Sequence, residues 1–431
     1  MTAGLTGGLG PHQLGPGEGN TPETDLAGPL VEPPPTAPAV VVGTRAGRAV
    51  TAGAPGRAGR ITGHLGIGGP SAKGELRLGR IGAAAACCGH GYSMPGGCIT
   101  VAMVDDRVAR SAGPRYGITV PFDGVPLVDH RRWYEELLRL GYTDVWSAET
   151  DGADGLTPLA LAAAWTPALQ LGVAILPAYT RGPALLAQSV AAMAEAAPGH
   201  FTVGLGTSSD VIVSRWNDVA FDEPYRRVRD TIRFLRAVLG GERVDEQYET
   251  FRVRGFRLAR PVEYPPPLFL AALRPGMLRL AGREADGVII NWLSADDVAT
   301  VTPELGADIP VAARIFVCPS EDADTVRAVG RRMIAAYLNV GVYAAFHRWL
   351  GRGAELEPMW AAWQAGDRKG ALAAIPDDVV DALVVHGSYD ECRAHVGRYV
   401  ANGVDIPVMA VIPLGVSLEE AVAGLAPPWT A

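Results

Sequence analysis

From residue 115 onward, short runs of β-branched and apolar residues alternate with longer stretches in which apolar residues recur every third or fourth position. The first pattern belongs to strands and the second to helices with one buried face. Residues 116–121, 143–148, 169–176, 201–206, 267–272, 287–291, 311–317 and 406–411 read as eight strands. The third of these is almost continuously apolar, as a parallel strand covered on both faces must be. Helices are predicted over 129–140, with Trp133, Leu137 and Leu138 on one face; over 157–165, opened by Thr157 and Pro158; over 183–197, opened by Pro183; and over 225–239. In the last of these, Val228, Ile232, Leu235, Val238 and Leu239 share a face before Gly240 and Gly241 end it. Residues 277–285 and 389–402 form two more helices. Alternation at Phe251, Val253, Phe256 and Leu258 predicts a hairpin over 244–259, and 322–383 reads as a helix-rich insertion.

Eight strands interleaved with helices call for a parallel sheet with right-handed crossovers. About 310 residues in eight units fit a single (β/α)₈ TIM barrel with insertions over 111–431, an open doubly wound sheet being the alternative. Residues 1–110 are a different material. The first hundred hold 24 of the 53 Gly and 11 of the 34 Pro, with Tyr92 as the sole aromatic residue. Such a segment cannot bury enough apolar area to offset its ordering entropy, so a disordered low-complexity stretch is expected. Met103 stands just before the first convincing strand. Arg/Ala/Gly/Pro-rich text is what a GC-rich upstream region gives when translated, which makes a non-native start the sharper reading of this stretch.

The formal charge of −8 carries no basic stripe, so a nucleic-acid partner is not expected. No apolar run approaches the ~20 residues needed to cross a bilayer, and the first residues lack a secretory pattern. The five cysteines, Cys87, Cys88, Cys98, Cys318 and Cys392, are odd in number and do not suggest a disulfide framework, which leaves a reducing cytoplasm as the expected compartment. Cys87, Cys88, His90 and Cys98 match no zinc spacing, and no metal is expected.

In a barrel the chemistry sits at the C-terminal ends of the strands. The residues there are Pro121 and Phe122; Glu149, Thr150 and Asp151; Tyr179, Thr180 and Arg181; Gly206, Thr207, Ser208, Ser209 and Asp210; Leu273 and Arg274; and Asn291 and Trp292. This rim has no nucleophile elbow and no His/Asp metal set. Its hydroxyls, backbone amides, carboxylate and arginines suit holding a polar, phosphate-bearing cofactor for hydride transfer. Glycines 204 and 206 would let a phosphate approach the backbone, although a plain strand-end turn explains them equally well and the run is no G-x-G-x-x-G. Glu149 fits a general acid or base, or an acceptor for a cofactor ring, against the plainer reading of a surface carboxylate in an acidic loop. Arg274 could clamp an anion or simply open a helix in solvent. His130, His347, His386 and His395 pair with no visible nucleophile and read as surface or satisfied core residues.

Several linked motifs then carry a resemblance. Asp144-Val-Trp-Ser-Ala-Glu149, Thr157-Pro-Leu, Leu171-Gly-Val-Ala-Ile-Leu-Pro177 with Arg181 and Pro183, Pro198-Gly-His-Phe-Thr-Val-Gly204-Leu-Gly-Thr-Ser208, Leu270-Ala-Ala-Leu-Arg274-Pro-Gly-Met and Ala281-Gly-x-x-Ala-Asp286-Gly287 occur in order. Together they resemble the bacterial-luciferase-like superfamily, and within it the oxidoreductases that use the deazaflavin coenzyme F-420. The likeness spans about 115–425. It implies a (β/α)₈ barrel and a non-prolyl cis peptide joining Ala174 to Ile175 behind the cofactor ring. It places Glu149 against the ring, with Gly206, Thr207 and Ser208 in the cofactor-contacting turn after strand four and Leu273 and Arg274 along the cofactor. In the sugar-phosphate dehydrogenase branch a catalytic histidine follows the strand-two carboxylate; here that position is Thr150, so neither that substrate nor that base is carried over.

The resemblance implies an F-420-dependent oxidoreductase passing a hydride to or from a small organic substrate, with Glu149 contacting the ring or handling a proton. Asn291, Trp292 and the 322–383 insertion would cover the substrate. An FMN-dependent monooxygenase of the same superfamily and a non-catalytic cofactor-binding barrel are the two rivals. A homodimer is the common closed assembly.

Overall fold

The computed structural model describes residues 115–427; the low-complexity reading of 1–110, the cysteines and histidine at 87–98 and Met103 fall outside it. Eight parallel strands close into a barrel. In chain order these are β1 (Gly117–Thr119), β2 (Asp144–Ser147), β3 (Gln170–Pro177), β4 (Phe201–Gly206), β7 (Leu268–Ala271), β8 (Gly287–Asn291), β9 (Val311–Cys318) and β11 (Ile406–Val411). The circuit runs β1-β2-β3-β4-β7-β8-β9-β11 and returns to β1 through parallel pairing with β11. The antiparallel hairpin of β5 (Val244–Gln247) and β6 (Arg252–Phe256) stands apart, and the short β10 (Val384–His386) pairs on β9 as a side branch.

The helices outside the strands follow from the sequence periods. They are α1 (His130–Arg139), α2 (Thr157–Trp165), α3 (Pro183–Ala196), α4 (Pro224–Leu239), α5 (Pro275–Glu284) and α12 (Tyr389–Ala401). Proline stands in the first turn of α2 to α5, where its missing N–H costs nothing. In α4 the predicted stripe is the buried one. In α1 the seam instead runs through His130, Trp133, Tyr134 and Leu137, and Leu138 turns outward, 40% exposed. The barrel core prefers a stripe at i, i+3, i+4, i+7, and Leu138 lies one residue off it.

Side chains fill the barrel rather than leaving a pore. Trp146, Phe269, Ile289, Ala312, Ile406 and Val408 pack inside it. The two large rings fit because glycines face them. A Cβ on Gly172 would come within 2.3 Å of the Trp146 ring, and one on Gly287 within 2.3 Å of Phe269. Alternation of large and small residues is how a closed barrel reaches native density. Burying a ring the size of Trp146, about 150–250 Å², is worth at most about 4–6 kcal/mol.

Between β9 and β10 lies the insertion: α7 (Ala323–Leu338), α8 (Gly341–Trp349), α9 (Gly353–Gln364), α10 (Arg368–Ala373) and α11 (Asp377–Leu383). It has its own core around Ile334, Leu338, Leu356, Met359 and Trp360. That core continues into Trp292 and Phe316 at the strand ends, so the insertion is seated on the barrel rim. The Trp360 indole N–H donates to the Leu338 carbonyl at 2.8 Å. Three further elements escape the periodicity. Val211–Trp216 is a π-helical turn after β4, α6 (Val298–Val301) is a single turn, and α13 (Leu418–Gly424) closes the chain. The last is announced locally by Ser417 and Glu420, which form a reciprocal capping box.

Candidate active site

The rim is shaped first by β3. Its pairing with β4 is regular from Leu171 to Val173 and resumes at Leu176, so Ala174 and Ile175 form a bulge at the barrel mouth. The peptide between them is cis, at the position the resemblance implied, and Val120–Pro121 is cis as well. Facing glycines make room for the bulge. A Cβ on Gly204 would sit 2.0 Å from the Val173 carbonyl oxygen, and one on Gly206 would sit 3.0 Å from Ile175. The result is an apolar shelf, Ala174, Ile175, Gly206 and Ala271, at the end of the strands.

Behind the shelf stands Glu149. Its Oε1 accepts from Arg181 Nη1 at 2.6 Å and from Thr180 Oγ1 at 3.4 Å, and its Oε2 accepts from the Gly155 N–H at 3.0 Å. Both side chains of the ion pair are less than a fifth exposed, at 17% for Arg181 and 14% for Glu149. A carboxylate so engaged ties the 149–155 loop to Arg181. Asp154 continues the anchoring, accepting from the N–H groups of Leu156 and Thr157 ahead of α2, and these contacts hold its carboxyl below the usual range against its partial burial.

After β4, Thr207 and Ser208 make the tight turn. Ser208 has φ +63°, and Thr207 Oγ1 donates to the Ser208 carbonyl at 3.1 Å. Leu273 is half-buried, and Arg274 is exposed at the N-cap of α5 in an extended conformation. The predicted residues therefore all follow strand ends at one rim, with Glu149 largely buried and Arg274 exposed. After β1, the Phe122 N–H donates to His130 Nε2 at 2.9 Å, and His130 Nδ1 lies 3.0 Å from the Pro126 carbonyl. The two bonds fix the ring as its neutral Nδ1–H form, and burial pushes its pKa down. His386 pairs with Asp381 at 3.0 Å and His395 stacks on Tyr399, in line with structural roles.

Asn291 and Trp292 join the barrel to the insertion. Trp292 is fully buried with φ +54°, an uncommon backbone for a large residue. It packs 4.2 Å from Phe316 and 5.0 Å from Tyr337, centroid to centroid. The insertion is pinned beside it by Arg352, whose Nη2 lies 2.8 Å from Asp297 Oδ2 and 3.2 Å from Ser294 Oγ.

A small pocket opens inside the mouth, lined by Thr119, Trp146, Ala174, Ile289 and Arg314 among others. Arg314 and Thr119 are residues that the sequence reading did not single out. The signal was present, because an arginine at the middle of an otherwise apolar strand, Val-Ala-Ala-Arg-Ile-Phe-Val, must face inward. Among the described residues no group of three His, Cys, Asp or Glu is placed to hold a metal ion. Cys318 and Cys392 are free and buried, and burial raises their pKa values, to about 11 and about 12.

The profile of the luciferase-like monooxygenase family matches residues 106–405. The chain belongs to this family. A 5,10-methylenetetrahydromethanopterin reductase of Methanolobus tindarius is 26% identical over 316 residues, covering 70% of this chain and 95% of that protein. An F-420-dependent glucose-6-phosphate dehydrogenase of Mycobacterium avium is 31% identical over 134 residues, 29% of this chain and 38% of that protein. Among solved structures, the coenzyme F-420-dependent tetrahydromethanopterin reductase of Methanopyrus kandleri superposes with a TM-score of 0.60 at 21% identity, covering 73% of this chain and 98% of that one. That likeness shows the same fold, and the closed barrel agrees with it.

Proposed function

We propose that this luciferase-like barrel is an F-420-dependent oxidoreductase acting on a small organic substrate. The observation that carries the reading is the bulged, apolar shelf at Ala174 and Ile175, given room by Gly204 and Gly206, at the end of the barrel where chemistry sits in this fold. The residues fit a flat tricyclic ring. Ala174 and Ile175 would support its back, Glu149 and Arg181 would hold the loop behind it, and Thr207, Ser208 and Arg274 would take its polar tail. When bound, the deazaflavin supplies a hydride donor or acceptor. The chain's own part is to position that ring, exclude water with the insertion and keep charge balanced at the rim. The F-420 dependence named for the Mycobacterium avium relative favours this cofactor over FMN. The free cysteines suit a reducing cytoplasm.

The test is a fluorescence titration of the full chain with coenzyme F-420 and, separately, with FMN. Saturable quenching with F-420 at micromolar concentration and none with FMN is the expected result. Tight FMN binding without F-420 binding would overturn the assignment in favour of the monooxygenase reading. Binding of F-420 with no oxidation or reduction by any tested alcohol, aldehyde, enone or acid would favour a non-catalytic barrel.

A further inference from the structure

Among the described residues that line the small pocket inside the mouth, Arg314 is a cation whose charge no carboxylate answers. Its Nε is buried with no hydrogen-bond partner, and no carboxylate of the described residues pairs with its guanidinium. It stands against the ring of Phe316, 5.1 Å from the guanidinium carbon, and within electrostatic reach of the Tyr343 hydroxyl. Other arginines of the fold are answered: Arg115 by Asp144, Arg181 by Glu149, Arg227 by the carbonyls of Ala178 and Thr250, and Arg352 by Asp297. A cation held in place by stacking, with its donors unused, is what an anion-binding site looks like before its ligand arrives.

Two more unpartnered donors line the same pocket. The indole N–H of Trp146, a residue 1% exposed, and the hydroxyl of Thr119 are both buried without a partner. Of the remaining walls, Ala148, Ala174, Ile289, Ala312 and Val408 are apolar, and the hydroxyl of Ser147 is already spent on the Gly155 carbonyl at 2.5 Å.

The topology places this group opposite the shelf. In the circuit of eight strands β9 is four pairings from β3 in either direction. Register carries Arg314 to Val408, Val408 to Gly117, Gly117 to Asp144 and Asp144 to Gln170. A barrel of this type shears by about eight residues per circuit, so half a circuit amounts to about four. Rising four residues from Gln170 reaches Ala174, and both Arg314 and Ala174 line the pocket. A flat ring resting on Ala174 and Ile175 would thus face the guanidinium across the mouth.

We propose that Arg314, with Thr119 and Trp146, is a carboxylate-recognition site, and that the substrate is an organic acid whose apolar body lies between this site and the shelf. A planar carboxylate matches the two-pronged guanidinium, and its single negative charge balances the single positive one, whereas a phosphate dianion would keep an uncompensated charge between apolar walls. The proposal rests on the reading of the shelf as the cofactor site, and its test separates the two.

Cofactor-free full-length protein is titrated with benzoate, benzamide and inorganic phosphate, followed by calorimetry and by the fluorescence of its tryptophans, Trp146 among them. The wild type is expected to bind benzoate at least about tenfold more tightly than the isosteric benzamide or phosphate. Arg314→Met should abolish the preference, Arg314→Lys should keep part of it, and Thr119→Val should weaken benzoate about threefold. Coenzyme F-420 is titrated in parallel with every variant. Loss of benzoate binding with F-420 binding intact supports the site. Equal binding of benzoate and benzamide, no benzoate binding, tighter phosphate binding, or wild-type benzoate affinity in Arg314→Met each overturns it. Failure of the wild type to bind F-420 would instead count against the cofactor reading, whatever benzoate does. Arg314→Lys and Thr119→Val retain the volume at their positions and keep the test open should Arg314→Met not fold.

Discussion

Glu149 is the natural suspect for proton transfer, and its contacts with Arg181 and the Gly155 N–H predict an anchoring role that can be tested against it. It is joined to Arg181 at 2.6 Å with both side chains mostly out of water. Two unit charges about 4 Å apart between centres attract by about 4 kcal/mol at an effective dielectric of about 20. Desolvation of the two groups offsets roughly half, leaving a coupling of about 2 kcal/mol. Glu149→Gln and Arg181→Met should each destabilise the fold by about 2–3 kcal/mol in urea, because each strands a half-buried partner. The double variant should recover about 2 kcal/mol relative to the sum of the singles. The same cycle read by F-420 fluorescence should show about tenfold weaker binding in Glu149→Gln, since the carboxylate also fixes the Gly155 N–H and with it the loop behind the ring. A coupling below about 0.5 kcal/mol would refute the anchoring role. So would unchanged F-420 affinity combined with a turnover lowered by about a hundredfold or more, which is the signature of an acid or base.

Three further outcomes follow from the same coordinates. Gly204→Ala drives a methyl into the Val173 carbonyl and should cost about 1–3 kcal/mol or prevent folding, while Gly206→Ala only crowds Ile175 and should fold yet bind F-420 at least about fivefold more weakly; urea melts and fluorescence titration report the two effects, and wild-type affinity in Gly206→Ala would contradict the shelf. His347 is fully buried, and desolvation, helped by Arg352, holds its pKa at about 4 against 6.5 when unfolded. The unfolded chain therefore takes a proton that the folded one refuses between those values, so stability falls as pH drops from 6.5 to 4, by at most about 3 kcal/mol, and His347→Phe should flatten that part of the curve measured by urea unfolding at successive pH values. Arg352→Met leaves Asp297 buried and unpaired and should cost about 2–4 kcal/mol, with faster limited proteolysis of the α8–α9 region; a resistant insertion would show that its own core is enough to seat it.

Much of the scaffold is legible in the chain because each strand and helix announces its own period. The β3 run is apolar throughout, and the α4 stripe repeats cleanly over sixteen residues. Elements shorter than two turns lack that redundancy. The π-helical turn at Val211–Trp216 and the three-residue β10 carry no repeat to detect, and they exist because the rim and the insertion hold them. Leu138 shows the limit in the other direction, since a nearby apolar residue satisfies a loose stripe without belonging to the seam.

The site divides along the same line. Glu149, Thr207, Ser208 and Arg274 follow strand ends directly, so knowing where a strand stops is enough to find them. What Glu149 does is not local: its partner Arg181 lies 32 residues away and its other contact, the Gly155 N–H, belongs to a loop whose path only the fold decides. Arg314 is harder still. Its meaning depends on closure and shear, which bring β9 opposite β3 and set Arg314 level with Ala174, and neither quantity is written in either strand. A charged residue inside an apolar strand normally argues against that strand. Here the strand is sound and the charge faces a mouth lined by unpaired donors, so the breach of the hydrophobic pattern marks the place where selection for a ligand overrode selection for a core.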